Sequence, residues 1–168
     1  MTRTAHAWLM TDERMGDGLW AALRRVPPGG GVVFRHLATP ARERLALFRR
    51  VRSVAVARRL VLVVAGERLP WAGRHGGTRP VTAPAHDRRE AVAGVRKGAR
   101  VLFVSPVFAT RTHPGVRGLG VRRAGAVVRG LPVLAMTLGG MDARLWRGMR
   151  RLGFVGWAGI DGWLGEHG

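Results

Sequence analysis

The chain has 168 residues, 46% hydrophobic and 23% charged, with no cysteine. That is the scale of one domain spanning 1–168 with a sizeable core, and it excludes a disulfide framework, thiolate metal sites and a thiol nucleophile. The 29 Lys and Arg against 10 Asp and Glu give a net charge of +19, which favours anionic partners.

Short apolar runs alternate with longer arginine-rich helical patterns. Strands are expected over 8–12, 31–35, 60–65, 73–76, 81–86, 101–108, 132–136 and 154–160. Helices are expected over 17–26; over 40–59, with Thr39 as N-cap and Pro40 in the first turn; over 87–97, where Asp87 and Glu90 form a capping box before Gly98; and over 121–129 and 142–152. In the second helix Ala41, Leu45, Phe48, Val51 and Ala55 recur at helical spacing. Runs such as 60–64 and 101–104 are continuously apolar, the mark of parallel strands buried on both faces. Strand–helix alternation with eight strands predicts an α/β fold, a compact (β/α)8 barrel, with an open doubly wound sheet as the rival. Gly66-Glu67-Arg68-Leu69-Pro70 leaves no room for a helix between strands three and four.

The apolar runs fall far short of the roughly 18 residues needed to cross a bilayer. Met1–Met10 holds Arg3 as its one Lys or Arg, so no signal peptide is expected and the setting reads as cytoplasmic, with no membrane partner. Lys97 is the only lysine, Ile160 the only isoleucine, and Asn, Gln and Tyr are missing. That is a drift toward Arg, Ala, Gly and Pro rather than a nucleic-acid signature. The arginines are dispersed: Arg42, Arg44, Arg49, Arg50, Arg52, Arg58 and Arg59 in one segment, Arg144, Arg147, Arg150 and Arg151 in another. A nucleic-acid module shows a compact stripe with stacking aromatics, so these read as solvated faces and nucleic acid is disfavoured. The oligomeric state is open.

In such a barrel, chemistry comes from strand C-termini and the loops that follow. Those tips carry Thr11-Asp12-Glu13, Arg35-His36, Gly66-Glu67-Arg68, His75, His86, Ser105-Pro106, the segment Thr110-Arg111-Thr112-His113, Gly139-Gly140 and Ala158-Gly159. The small residues after strands seven and eight allow backbone amides to approach a phosphate. No metal site is indicated: the histidines lack metal-ligand spacing, and carboxylates at the tips are few. No GxSxG nucleophile elbow is present.

These pieces, in order, resemble the thiamine phosphate synthase family, which also contains the thiazole tautomerases. Trp8-Leu9-Met10-Thr11-Asp12-Glu13 resembles its opening strand. Gly73-Arg74-His75-Gly76-Gly77 resembles its Gly-x-His-x-Gly. His86-Asp87 through Gly98-Ala99 resembles its histidine-led helix, and Ser105-Pro106-Val107-Phe108-Ala109-Thr110-Arg111-Thr112-His113 its Gly-Pro-[Val/Ile]-Phe-x-Thr-x-Thr-Lys segment. Pro132–Met136 with Gly139-Gly140, then Ala158-Gly159-Ile160, resemble the last two strands. The resemblance implies a (β/α)8 barrel that joins hydroxymethylpyrimidine diphosphate to thiazole phosphate and releases diphosphate. It implies that Arg35, Thr110 and Thr112 contact phosphorylated substrate, and that Gly139, Gly140, Ala158 and Gly159 bind the thiazole phosphate.

The chain departs from the family's pattern in places. Ala65 and Gly66 stand where it carries Asn-Asp, whose aspartate binds Mg²⁺. Pro80 stands near its second metal-binding aspartate, Val33 and Leu37 replace a Gln and a Lys, Pro84 a serine, and His113 the closing lysine. Thr137 and Leu138 separate the seventh strand from Gly-Gly. No cofactor is therefore evident, with Mg²⁺ entering only through a substrate diphosphate. Arg68, Arg74, Arg79 and Arg111 are candidates to neutralise that diphosphate directly. His75, His86, His113 and Arg111 are the candidate catalytic side chains. The alternatives are a thiazole tautomerase, whose proton-shuttling histidine is here Pro106, and a catalytically degenerate barrel that binds phosphorylated ligands.

Overall fold

The computed structural model describes residues 6–109, 115, 117–149 and 152–164. Eight parallel strands close into one barrel in chain order. They are β1 (Ala7–Met10), β2 (Gly31–Phe34), β3 (Val61–Ala65), β4 (Gly73–His75), β5 (Thr82–Ala85), β6 (Val101–Val104), β7 (Leu134–Leu138) and β8 (Gly156–Gly159). Around them lie α1 (Gly18–Arg25), α2 (Ala41–Ala57), α3 (Arg88–Arg96), α4 (Gly120–Val128) and α5 (Ala143–Met149). The TIM-barrel expectation holds, including the missing helix between β3 and β4. A second helix is missing between β4 and β5, which pair only through His75 and Thr82.

Two expected strands differ in a way that bears on the site. Strand six stops at Val104 rather than running to Phe108, because Pro106, in a cis peptide bond with Ser105, has no N–H to continue the ladder. Strand seven begins two residues later than expected, at Leu134, because residues 131–133 form a turn in which Val133 N–H bonds the Leu131 carbonyl. Thr137 and Leu138 are thus strand residues, paired with Val104 and Ala158, and Gly139 follows directly. What reads in sequence as an interruption is a shift of the strand.

The helices follow their sequence signals with one correction. The Asp87 carboxylate accepts from Glu90 N–H at 2.8 Å, and the Glu90 carboxylate reaches back to His86 N–H at 3.0 Å, one residue earlier than a standard capping box. Thr39 does not cap α2. Pro40 holds the capping position in extended conformation, and the Thr39 hydroxyl turns to Glu13 Oε1 at 3.4 Å.

The barrel interior is filled, not open. Trp8 of β1 meets Phe103 of β6 edge-to-face, with ring centroids 5.2 Å apart, and Phe103 lies 5.6 Å from His75 of β4. These contacts join non-neighbouring strands and so cross the interior. Room for the indole comes from Gly31: a Cβ there would stand 2.1 Å from Trp8 Cδ2. Gly156 does the same beside Met136, whose sulfur would lie 2.6 Å from an added Cβ. Gly31→Ala is accordingly expected to force Trp8 off its seat and cost about 1–3 kcal/mol, the usual range for overpacking, as a fall in the urea midpoint with unchanged m-value.

Candidate functional site

Strand register assigns the side chains that face inward at the C-terminal rim. Because Trp8, Phe103 and His75 meet inside, the alternation along each strand puts Asp12, Arg35, His75 and Ser105 on the inner face as well, with Thr82 also inward but lower, at the start of β5, and Arg74 outside. Arg74 therefore does not reach a ligand in the mouth; its guanidinium packs over Gly77 on the outer side of the β4–β5 turn. Arg68 and Arg79 are exposed in the flanking loops.

Arg35 is the central cation. Its side chain is 30% exposed and its Nη2 lies 3.9 Å from Asp12 Oδ2. Asp12 also takes the guanidinium of Arg14 at 2.8 Å. Burial alone would push the Asp12 carboxyl up, but the Arg14 hydrogen bonds and the charges of Arg14 and Arg35 outweigh it and hold the group below the usual carboxylate range. The Arg35 backbone is fixed on both sides. Its N–H donates to Thr11 Oγ1 at 3.0 Å, and its carbonyl accepts from Arg44 Nη2 at 3.4 Å. His36, in left-handed conformation at φ 30°, stacks on Phe34 and places Nδ1 2.9 Å from Thr11 Oγ1. Burial pushes the His36 imidazole pKa down.

His75 lies inside the mouth, with Nδ1 2.9 Å from Thr82 Oγ1. Burial first, then the positive charge of Arg35, lowers its pKa to about 4. It is neutral at pH 7 and a weak base. His86 directly follows β5 at the rim and is exposed before α3, its Nδ1 2.7 Å from Glu90 Oε2. Arg111, His113, Thr110 and Thr112 lie outside the described residues.

The glycines after β7 are held against the end of β6. Val107 N–H bonds the Leu138 carbonyl at 2.9 Å and Phe108 N–H the Gly139 carbonyl at 3.2 Å. Gly139 (φ 93°) and Gly140 (φ 59°) are left-handed, and Cβ atoms there would meet the Pro106 Cα and the Ala109 carbonyl at 2.8 Å each. Leu138 pairs with Ala158, and β8 pairs with β1, so Gly139-Gly140, Ala158-Gly159, Asp12 and Arg35 follow one another around the rim. A groove of about 550 Å³ on the outer flank, along Val121, Val128, Leu131, Val133 and Leu152, is remote from this rim.

Arg44 and Thr82 are the site-supporting residues that sequence reading misses, and Thr11, placed at a strand tip, has no supporting role assigned from sequence. Arg44 had a signal: it extends the buried α2 row Phe48, Val51, Ala55 by one turn. Thr82 alternates with Pro84 and His86 toward the rim.

The Mg²⁺ that the family resemblance implies does not fit these residues. The β3 tip is Ala65-Gly66, with no side-chain oxygen, and Asp12 is bound by Arg14 and Arg35. Among the described residues no three His, Asp or Glu side chains gather where they could hold a metal ion. Among those residues no helix is long and apolar enough to cross a membrane.

Comparison with known proteins supports the architecture. No family model matches the sequence, and no curated protein matches it. Among solved structures, the chain is similar to a thiamine phosphate pyrophosphorylase from Pyrococcus furiosus at 20% identity, covering 99% of this chain and 90% of that one, with a TM-score of 0.80. It is similar to a thiamine phosphate pyrophosphorylase from Bacteroides thetaiotaomicron at 15% identity over 95% of this chain and 84% of that one, TM-score 0.59. It is also similar to a HpcH/HpaI aldolase/citrate lyase family protein from Burkholderia cenocepacia at 13% identity over 96% and 90%, TM-score 0.61. At such identities the likeness shows a shared fold.

The His75 environment has a pH signature. Above about pH 6.5 the imidazole is neutral in folded and unfolded chains alike, so it contributes no pH dependence. As pH falls from there toward 4 the unfolded chain takes up a proton that the folded chain resists, and stability is lost. The shift corresponds to roughly 2–3 kcal/mol between those limits. Urea midpoints at pH 7 and pH 4.5 should differ more for the wild type than for His75→Gln, the remaining slope carrying the same-signed share of His36.

Proposed function

We propose that this barrel condenses two phosphorylated small molecules at its C-terminal rim, in the manner of a thiamine phosphate synthase: a hydroxymethylpyrimidine diphosphate and a thiazole phosphate, with loss of diphosphate. The observation that carries the reading is the run of Gly139-Gly140, Ala158-Gly159, Asp12 and Arg35 along consecutive strands of a barrel whose fold is shared with two thiamine phosphate pyrophosphorylases. In this reading the glycine-lined β7–β8 quarter takes the thiazole phosphate through backbone amides, where a side chain would obstruct approach. Arg35 takes the diphosphate and stabilises it as it leaves, which is the charge development an acceptor-matched guanidinium serves. His75, neutral beside Arg35, orients the ring by hydrogen bonding and supplies no cation of its own. Thr110, Arg111, Thr112 and His113 are proposed to complete the substrate contacts, and His86, oriented by Glu90, is the remaining candidate for proton handling at the rim. The setting proposed is cytoplasmic.

The tautomerase reading has less support. The imidazole lining the mouth, His75, is a weak base at a pKa of about 4.

The test is condensation of the two substrates by the purified protein, followed as diphosphate release, together with growth of a thiamine-requiring strain that lacks its synthase. Turnover and growth are expected. Gly140→Asp should abolish thiazole phosphate binding, because it adds charge and bulk at a left-handed position already 2.8 Å from the Ala109 carbonyl. Binding of thiazole phosphate without turnover and without growth would replace the transferase reading by that of a ligand-binding barrel.

A further inference from the structure

We infer that the barrel mouth binds phosphate or diphosphate through guanidinium charge without a divalent metal, Arg35 making the contact and the buried Arg44 holding Arg35 in position. This rests on the rim reading above and adds to it the electrostatic means of binding and a residue outside the mouth.

Arg44 is 6% exposed and projects from α2 beneath the tips of two strands. Its Nε donates to the His36 carbonyl at 3.0 Å. Its Nη2 donates to the Ala65 carbonyl at 2.7 Å and the Arg35 carbonyl at 3.4 Å. The Phe34 ring lies 5.4 Å from its guanidinium carbon. No carboxylate of the described residues forms an ion pair with it. A cation buried this way is expensive unless every N–H is used. Here the donors clamp the main chain on which Arg35 is carried, while Thr11 Oγ1 holds the Arg35 N–H from the other side. The clamp does two things. It removes backbone freedom from Arg35, so less ordering is lost when an anion binds. It also leaves a positive charge with no anionic partner behind the mouth, where solvent screens it poorly.

The mouth matches this role. Arg35 is only loosely engaged by Asp12, at 3.9 Å, and Asp12 keeps Arg14 at 2.8 Å when Arg35 turns to a ligand. Where a metal-dependent site needs converging oxygen donors, the β3 tip offers Ala65 and Gly66. Ala65 contributes instead its carbonyl to Arg44. The group at that tip is turned outward to hold an arginine rather than inward to hold a cation.

Inorganic diphosphate is the probe, titrated calorimetrically into the full chain at fixed ionic strength, first with EDTA and then with Mg²⁺. Saturable binding in EDTA is expected, with Mg²⁺ changing the affinity by no more than about twofold. Arg35→Gln should weaken binding about tenfold or more, as loss of a bidentate charged contact does. Arg96→Gln, at an exposed position on the far end of α3, reports general attraction to a +19 chain and should leave affinity unchanged. Arg44→Lys keeps the buried charge but not the fork and should weaken binding about fivefold, and Arg44→Met about tenfold, in protein whose circular dichroism is that of the wild type. Should Arg44→Met not fold, Arg44→Lys alone decides. Binding that appears only with Mg²⁺, or equal losses in Arg35→Gln and Arg96→Gln, overturns the inference. Wild-type affinity in folded Arg44→Lys overturns the assignment of Arg44. Metal-free diphosphate binding in a protein with no condensing activity would instead end the transferase reading and leave this one standing.

Discussion

The contact on which the architecture depends is the edge-to-face meeting of Trp8 and Phe103 across the barrel axis. Two large rings fill the volume that eight strands enclose; Gly31 yields the space that Trp8 takes, and Gly156 the space that Met136 takes beside them. A barrel plugged at mid-height cannot bind anything along its axis, so a ligand is confined to the layer above the rings. That layer is where Asp12 and Arg35 are found, while His75 and Thr82, the first residue of β5, lie at the level of the rings. The plug also explains the His75 environment. The ring sits close enough to Phe103 to be desolvated and close enough to Arg35 to resist a second positive charge.

The charge imbalance has a structural use. With few carboxylates to pair with, several arginines spend their donors on backbone carbonyls. Arg25 bonds the Trp163 carbonyl, Arg58 that of Val26, Arg88 those of Val127 and Arg129, and Arg44 three at the β2 and β3 tips. Arg88 and Arg58 act at the ends of α4 and α1, where helix carbonyls are left without intrahelical partners and the dipole favours a cation. Others lie over rings, Arg50 at 4.4 Å from Trp20 and Arg52 at 5.1 Å from Trp71. Arginine–carboxylate pairing, by contrast, gathers at Asp12, which faces both Arg14 and Arg35.

The barrel was legible in sequence because its strands are continuously apolar and its helices carry caps and periodic faces, as β2 and β6 and the Asp87–Glu90 cap of α3 show. Boundaries failed where local chemistry interrupts the pattern: Pro106 ends β6, and the 131–133 turn delays β7. The rim positions of Arg35, His75, Gly140 and Gly159 followed from their places at strand ends. The supporting residues did not. Arg44 stands in an arginine-rich stretch whose other members face solvent, a neighbouring ring or, for Arg58, the end of α1, and composition makes them look alike. Only the row it shares with Phe48, Val51 and Ala55 separates it, and a charged residue on an apolar row is easily assigned to the edge of that row. Trp163 is buried near the chain end, where its ring stacks on Trp157 at 4.7 Å and its indole N–H bonds the Trp8 carbonyl, a contact that spans most of the chain length.

Two of the departures from a full (β/α)8 architecture fall on the same side, β8 being followed among the described residues by the single 3-10 turn Asp161–Trp163. No helix follows β3 or β4, and the positions where the resembled family places metal-binding aspartates, Gly66 and Pro80, lie in those same two connections. A loop that must hold a carboxylate against a divalent ion needs support from the element behind it. With helices missing there, and with β4 joined to β5 by one residue pair, the β3–β5 flank is poorly built to hold converging ligands. The opposite side has α5 after β7, α1 after β1 and α2 after β2, together with its close glycine contacts and the Arg44 clamp. An anion site made of backbone amides and a braced guanidinium asks for rigidity on that side alone. With the mouth proposed as a metal-free anion site, the thin flank and the cationic mouth are one physical solution rather than two unrelated losses.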